Sequence, residues 1–263
     1  MNQPNTSVQH QGPHAEPAAA DQMSTAETLT SIFMEPGRVF ESFRERPRFI
    51  VAALITLAAV IAYQMLFMQR IGYENIVRAR IEASPRAADM DPAQKEQVIQ
   101  MQSRPVFKLL GPVIAVVGFF VVLAVGAGLY LLGSMMLAKA MGYWQALSVW
   151  AYASYPPTII MMLLSIVVLF IKSPEDIDVM KAQGGLVRAN LGFLVDGTAN
   201  PVLATAVGAL DLFAFYGLFL AALGLRKAGR LSSESAWMIV LVVWVIGLVL
   251  RLAAAAILKF PMA

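Results

Sequence analysis

The chain has 263 residues, of which 58% are hydrophobic and only 14% charged. So apolar a composition excludes an ordinary soluble domain of this length and makes the bilayer its solvent. The net charge of +3 rests on basic residues interleaved with acids beside the apolar stretches, which points to anionic lipid headgroups rather than nucleic acid, and the lack of cysteine excludes disulfides, thiolate metal sites and cysteine nucleophiles.

Residues 1 to 27 read as a tail. Met1 to Ala20 is rich in Gln, Pro, Ala and Asn and has no Lys or Arg. It cannot bury enough surface to offset its ordering entropy, so disorder is expected, and it lacks the basic and apolar regions of a signal peptide. His10 and His14 stand one helical turn apart, but a solvated low-complexity tail explains them more simply than a metal site. No other feature calls for a cofactor or metal.

A membrane domain is expected over residues 28–260. Leu29, Ile32 and Phe33, followed by Val39, Phe40 and Phe43, fall on one helical face, with Arg38, Glu41, Arg44, Glu45 and Arg46 on the other. The pattern predicts an interfacial helix anchored by Phe33, Phe40 and Phe43, with Arg44, Arg46 and Arg48 beside the headgroups. A surface helix packed on the bundle has the same pattern. Pro36 starts a second short helix, and Pro47 turns the chain into the first span.

Five apolar stretches follow, Phe49 to Gln69, Leu109 to Ala138, Val149 to Ile171, Val202 to Leu225 and Trp237 to Leu258. Each reaches the roughly 20 residues that cross a bilayer as a helix. Lipid cannot satisfy backbone polar groups, and these runs are far longer than barrel strands, so the expected fold is all-α, a bundle of five transmembrane helices. Between the first two, residues 70 to 108 form a polar loop. Tyr73, Ile76, Val77 and Ile81 mark one amphipathic helix there, and Asp91 and Pro92 open another that ends near Gln102. Ala124 and Gly128 have a small-xxx-small spacing, read as bundle packing. Paired Pro156 and Pro157 should kink or delay the third span. Ser173, Pro174, Glu175 and Asp176 open a short helix that Gly184 and Gly185 end. Asn200 and Pro201 open span four, and Ser232 or Ser233 with Glu234 opens span five. No internal repeat is evident, so an inverted-repeat transporter has no support.

Lys and Arg totals favour the side opposite the amino terminus, whereas Arg38, Arg44, Arg46 and Arg48 crowd before the first span, which usually dominates and sets a cytoplasmic amino terminus. Asp211 and Arg251 fall well inside spans, where an unpaired charge costs at least about 2.5 kcal/mol. At about 1.5 Å per residue they differ in depth by roughly one helical turn, so an interhelical ion pair is possible. Two other readings stand beside it. Asp211 forms a proton or cation site with hydroxyls from Tyr152, Tyr155 and Tyr216, or Asp211 satisfies a backbone or tyrosine group while Arg251 snorkels.

In sum the chain resembles the Yip-domain family of five-span membrane proteins over about residues 29 to 258, in a bacterial-type form. The resemblance rests on Ile32-Phe33, Pro36 and Val39-Phe40, Pro47, Gly142-Tyr143, Tyr152 with Pro156, Asp211-Leu212-Phe213, Gly224-Leu225 and Leu231-Ser232. It implies a five-helix bundle with a cytoplasmic amino terminus, in a bacterial inner membrane, and implies no enzyme. Eukaryotic relatives bind Rab-type GTPases, but their Asp-Leu-Tyr-Gly-Pro element is absent and Ala151 replaces a frequent glycine, so that partner is not carried over. The expected role is a non-enzymatic scaffold or organiser acting through lipids, an unidentified protein partner or self-association. The alternative is a small transporter or channel using Asp211 and the Pro156-Pro157 break. The only histidines lie in the tail and no span clusters carboxylates, so hydrolytic and phosphoryl-transfer chemistries lack their usual groups.

Overall fold

The computed structural model describes residues 23–84, 87, 89–137, 141–197, 199–259 and 261. The tail that holds His10 and His14 lies outside these residues. Among those described, regular structure is helical apart from one isolated bridge.

Local sequence sets most helix starts. Helix α1, Thr25–Ser31, is fixed by a reciprocal cap in which Ser24 accepts from the Glu27 amide and Glu27 reaches back to the Ser24 amide. It therefore begins inside the segment read as tail. Helix α2, Pro36–Ser42, has proline at its first position. Helices α3, Ile50–Ile71, and α4, Tyr73–Glu82, are separated by Gly72 alone, whose φ of 86° turns the chain. Helix α5, Pro92–Gln102, starts where Asp91 and Gln94 cap one another, and α6, Pro105–Met136, follows almost at once.

Helix α7, Tyr143–Ile171, starts six residues before the expected span, because the Gln145 carbonyl accepts from the Gly142 amide. It runs unbroken through Pro156 and Pro157, so the pair does not delay the helix. Pro157 leaves the Ala153 carbonyl without its helical donor. That carbonyl lies where α10 comes close at Gly217. Helix α8, Val179–Ala182, is capped by Asp178 rather than Ser173. Helix α9 is Pro201–Gly208, α10 is Leu212–Ala228 and α11 is Ser233–Leu258.

Four of these helices, α3, α6, α7 and α11, are long and apolar enough to cross a membrane. The expected fourth span is not one helix. It divides into α9 and α10 at Ala209–Asp211, and neither part alone has the length of the other four.

Helix α7 is the central post, packing against α10, α3 and α6, while α10 also meets α2 and α11, and α11 meets α9 and α6. Its most apolar stretch is 33% buried, against 11% for α6, whose Val113, Ile114, Val121 and Val125 face outward. Large apolar side chains left outside are costly in water and cost nothing against lipid tails. On α6 the packing face is Leu123, Gly126, Ala127 and Tyr130; Ala124 is exposed and Gly128 has nothing near its missing side chain. Trp150 occupies the space beside Gly126, so the glycine that brings α6 to α7 is not the one its spacing marked.

The face of α1 and α2 read as interfacial is turned into the protein. Ile32, Val39, Phe40 and Phe43 are wholly buried, the Phe43 ring lies 4.8 Å from that of Tyr152, and the half-buried Phe33 lies 5.7 Å from Tyr155. The apolar anchors thus fill the end of the bundle instead of the bilayer interface. Gly224 on α10 makes room for them: a methyl there would sit 2.6 Å from Val149 and 3.0 Å from Phe40. At Gly217 the same methyl would find ordinary contacts, 3.6 Å from the Ala153 carbonyl and 3.7 Å from Pro157. Thermal unfolding in detergent should therefore separate the two glycines. Gly224→Ala should lose about 1–3 kcal/mol by overpacking, whereas Gly217→Ala should stay within about 1 kcal/mol of the parent because alanine favours helix.

Candidate functional site

The break between α9 and α10 gathers the polar chemistry of the bundle. Asp211 is the N-cap of α10, its Oδ1 accepting from the Phe213 amide at 2.8 Å and the Ala214 amide at 3.3 Å. Its Oδ2 accepts from the Ala189 amide at 3.1 Å and the Asn190 side-chain amide at 3.0 Å. The Leu212 amide returns a bond to the Ala189 carbonyl at 3.1 Å, and Asn190 and Asp211 form the isolated antiparallel bridge. One half-buried carboxylate thereby holds two segments that are distant in sequence.

The segment it holds comes from the connection after α7 and folds back along the bundle. Ser165 Oγ accepts from the Leu186 and Val187 amides, both at 3.1 Å, six residues before α7 ends. The chain can come so near because Gly185 adopts a φ of 127°, where side chains are strained. Just upstream, the Tyr63 hydroxyl of α3 donates to the Ala182 carbonyl at 2.6 Å and the Gln64 amide to the Gln183 carbonyl. Downstream, Asn190 Oδ1 accepts from Gly192 at 2.9 Å and starts a short 3-10 turn, Leu191–Leu194, which packs on α9. Backbone groups freed by a helix break in an apolar region are costly, and here protein groups take them up.

Asp211 lies within electrostatic reach of Arg188, on the docked segment, as do Asp178 and Tyr63. Among the described residues Asp211 and Arg251 form no ion pair, the four donors named above being the partners of Asp211. At Asp178, burial acts to raise the carboxyl pKa, but the amide bonds from Lys181 and Met180 and the Lys181 ammonium outweigh it, leaving the group below its ordinary value.

The tyrosines serve a different place. Tyr152 shares a hydrogen bond of 3.1 Å with the buried Thr28 of α1, and its ring meets Tyr155 at 6.3 Å. Both belong to the α7 segment that meets α1 and α2, whereas Ser165 and Asp211 face the opposite connection. Tyr216 is half-buried, one turn beyond Asp211 on α10. Pro156 and Pro157 are buried between the two regions. The basic residues before span one hold the amino-terminal cap. Arg44 Nε donates to the Lys227 carbonyl at 2.7 Å, its guanidinium pairs with Glu41 at 3.0 Å, and Arg48 donates to the Met23 carbonyl at 2.6 Å; Arg46 is exposed.

Ser165, Ala189 and Asn190 were not singled out in the sequence. Asn190-Leu191-Gly192 does carry the signal of an Asx turn, and Ser165 is a lone hydroxyl in an apolar run. Among the described residues no three His, Asp or Glu side chains gather as metal ligands.

Asp211→Ala should lose about 2–3 kcal/mol by removing the cap and leaving buried donors unpaired, and Asp211→Asn should lose about 1 kcal/mol or more, because its one oxygen can keep the cap while its amide nitrogen turns a donor toward the Ala189 and Asn190 donors. Ser165→Ala should fall between them and raise hydrogen exchange at Leu186 and Val187. Equal stability of Asp211→Ala and the parent in thermal unfolding would remove the structural role.

A protein-family model for the Yip1 domain matches residues 30–254. No curated protein and no solved structure matches the chain. The match runs from the buried cap of α1 and α2 to the last turns of α11, through the break that Asp211 holds, and the chain belongs to the Yip1 domain family.

Proposed function

We propose that this Yip1-family membrane protein is a non-enzymatic scaffold. It crosses a bacterial inner membrane five times and offers the cap formed by α1 and α2, on the cytoplasmic face, to lipid, a protein partner or a second copy. The observation that carries this reading is the way the cap is built. Its apolar side chains, apart from the exposed Met34, are spent on the bundle, and Arg44 and Gln145 tie it to the Lys227 and Arg44 carbonyls, so it is held as a fixed platform. Outward it shows charges of both signs, with Glu35, Glu41 and Arg46 exposed. Partners that meet such a surface recognise geometry and charge rather than greasy area.

The two ends of α10 support the five-pass path. Its start bonds to the segment after α7, and its end lies against Arg44 of the cap, so α10 reaches from that segment to the cap. Its 17 residues span about 26 Å at about 1.5 Å per residue, near the roughly 30 Å of a hydrocarbon core. Because the chain has no cysteine, each introduced thiol is unique. An impermeant maleimide on intact cells should label Glu175→Cys, and should label Glu35→Cys and Glu234→Cys only after permeabilisation. Labelling of Glu234→Cys together with Glu175→Cys would show that α9 and α10 do not cross.

A transporter or channel is the second reading, favoured by the helix break at Asp211, since discontinuous helices line permeation paths. Against it, the carboxylate already accepts four bonds and the proline pair lies inside a continuous helix. The scaffold predicts a discrete adduct from a photo-crosslinking side chain at Arg46, none at Glu175, and no proton or alkali-cation flux from purified protein in liposomes. Flux abolished by Asp211→Asn with no adduct at Arg46 would reverse the order of the two readings.

A further inference from the structure

We infer that the cleft between the end of α10 and the start of α11 is a binding site for one anionic glycerophospholipid, whose phosphate pairs with Arg226 and whose acyl chain lies along Phe219 and Leu223. Two observations carry it, the change of polarity along the cleft and the free charge that lines it.

The cleft is built from one stripe of each helix. Phe219, Ala222, Leu223 and Arg226 stand at i, i+3, i+4 and i+7 on α10, and Ser233 and Trp237 stand one turn apart on α11. The end of α10 and the start of α11 meet across the turn 229–232, so Arg226 and Ser233 lie nearest that turn and Phe219 and Trp237 further from it. Phe219 and Arg226 are separated by about 10 Å at about 1.5 Å per residue, about the depth of one headgroup layer. That polarity has the direction of the bilayer. Arg226 is in the last turn of α10, the end that Arg44 of the cap also binds, and Trp237, with the stacked Phe49 and Trp144 at the starts of α3 and α7, forms an aromatic belt of the kind found where hydrocarbon meets headgroups. The cleft holds about 50 Å³. That is several times what one water molecule needs, room for a phosphate and too little for an acyl chain, which leaves along the exposed rings of Phe219 and Trp237.

The second observation is the state of Arg226. Its side chain is exposed and, among the described residues, has no hydrogen-bond or ion-pair partner. The next cation, Lys227, is already spent on Glu41 at 3.6 Å. The acid in the first turn of α11, Glu234, stands about 100° further round that helix than Ser233 and does not line the cleft. Among the described residues the lining therefore has one cation, one hydroxyl and no carboxylate. A zwitterionic lipid would bring its own cation to the same place, and a free phosphate would leave the apolar wall uncovered. The cleft is made by α10 and α11 alone. Lipid retention reads it and cross-linking at Arg46 reads the platform proposed above, so either can fail without the other.

The test uses the purified full-length protein in detergent, equilibrated with phosphatidylglycerol and phosphatidylcholine in equal amounts, with retained lipid read by native mass spectrometry. The wild type should keep one phosphatidylglycerol per chain in preference to phosphatidylcholine, and inorganic phosphate in large excess should not displace it. Arg226→Gln should lower that preference about fivefold. Arg230→Gln, which removes an exposed cation of the adjoining turn that does not line the cleft, should keep most of it. Ser233→Phe, at an exposed position, fills the cleft without touching the charge and should bring retention of phosphatidylglycerol down toward that of phosphatidylcholine. Wild-type protein that holds the two lipids equally overturns the proposal without any variant, and so does Arg226→Gln protein with undiminished preference. Equal losses in Arg226→Gln and Arg230→Gln overturn the cleft in favour of the basic turn as a whole, and displacement by inorganic phosphate overturns the acyl-chain contact.

Discussion

A helix break among apolar side chains leaves donors and acceptors that those side chains cannot take, and this molecule meets the problem at Ala209–Asp211. The Asp211 carboxylate takes the first amides of α10 and, with its second oxygen, the backbone and side chain of Ala189-Asn190. Each of those bonds has a second effect. Capping fixes where α10 begins, and holding Asn190 fixes the returning segment against α7, where Ser165 takes two more amides. An acid that looked like a charge buried in a span is therefore the start of a helix, a position where the helix dipole and unbonded amides favour negative charge.

The other end of α10 is finished in a complementary way. Its last carbonyls are unbonded within the helix, and Arg44 donates to that of Lys227. The same arginine pairs with Glu41, which Lys227 also reaches at 3.6 Å. The cap is thus joined to the helix whose other end is set by Asp211. Between the two, Gly224 lets Phe40 and Val149 close over α10. Position along the helix, rather than the mere presence of charge, decides which side chain is stable where.

Much of the fold was legible because its signals are local or long. Four apolar runs are long enough to cross a bilayer, and caps such as Asp91-Pro92 act within one turn. The break in the fourth run was not legible, since an average over about 20 residues passes over three, and Asp211 and its partners Ala189 and Asn190 are brought together by the fold alone. The amphipathic face of α1 and α2 was seen, but not what covers it, because lipid and the interior of the bundle ask for the same side chains. The same degeneracy hid the packing of α6: many small residues lie along it, and only the approach of Trp150 distinguishes Gly126 from Gly128. The family resemblance fixed the order of the helices without assigning a task to any residue.

Asp211 and Arg251 both fall in apolar runs of the sequence, yet among the described residues protein groups bond only Asp211. The reason lies in what a helix has to give. Its amino end offers free amides to an acid and its carboxyl end free carbonyls to a cation, and the chain uses carbonyls at helix ends and turns repeatedly: Arg44 to Lys227, Arg70 to Lys172, Arg48 to Met23 and Arg188 to Lys181. Arg251 lies seven residues before the end of α11, where the carbonyls of its own turn are still engaged by the next one. Its own helix therefore offers it no acceptor, and among the described residues it has no hydrogen-bond or ion-pair partner.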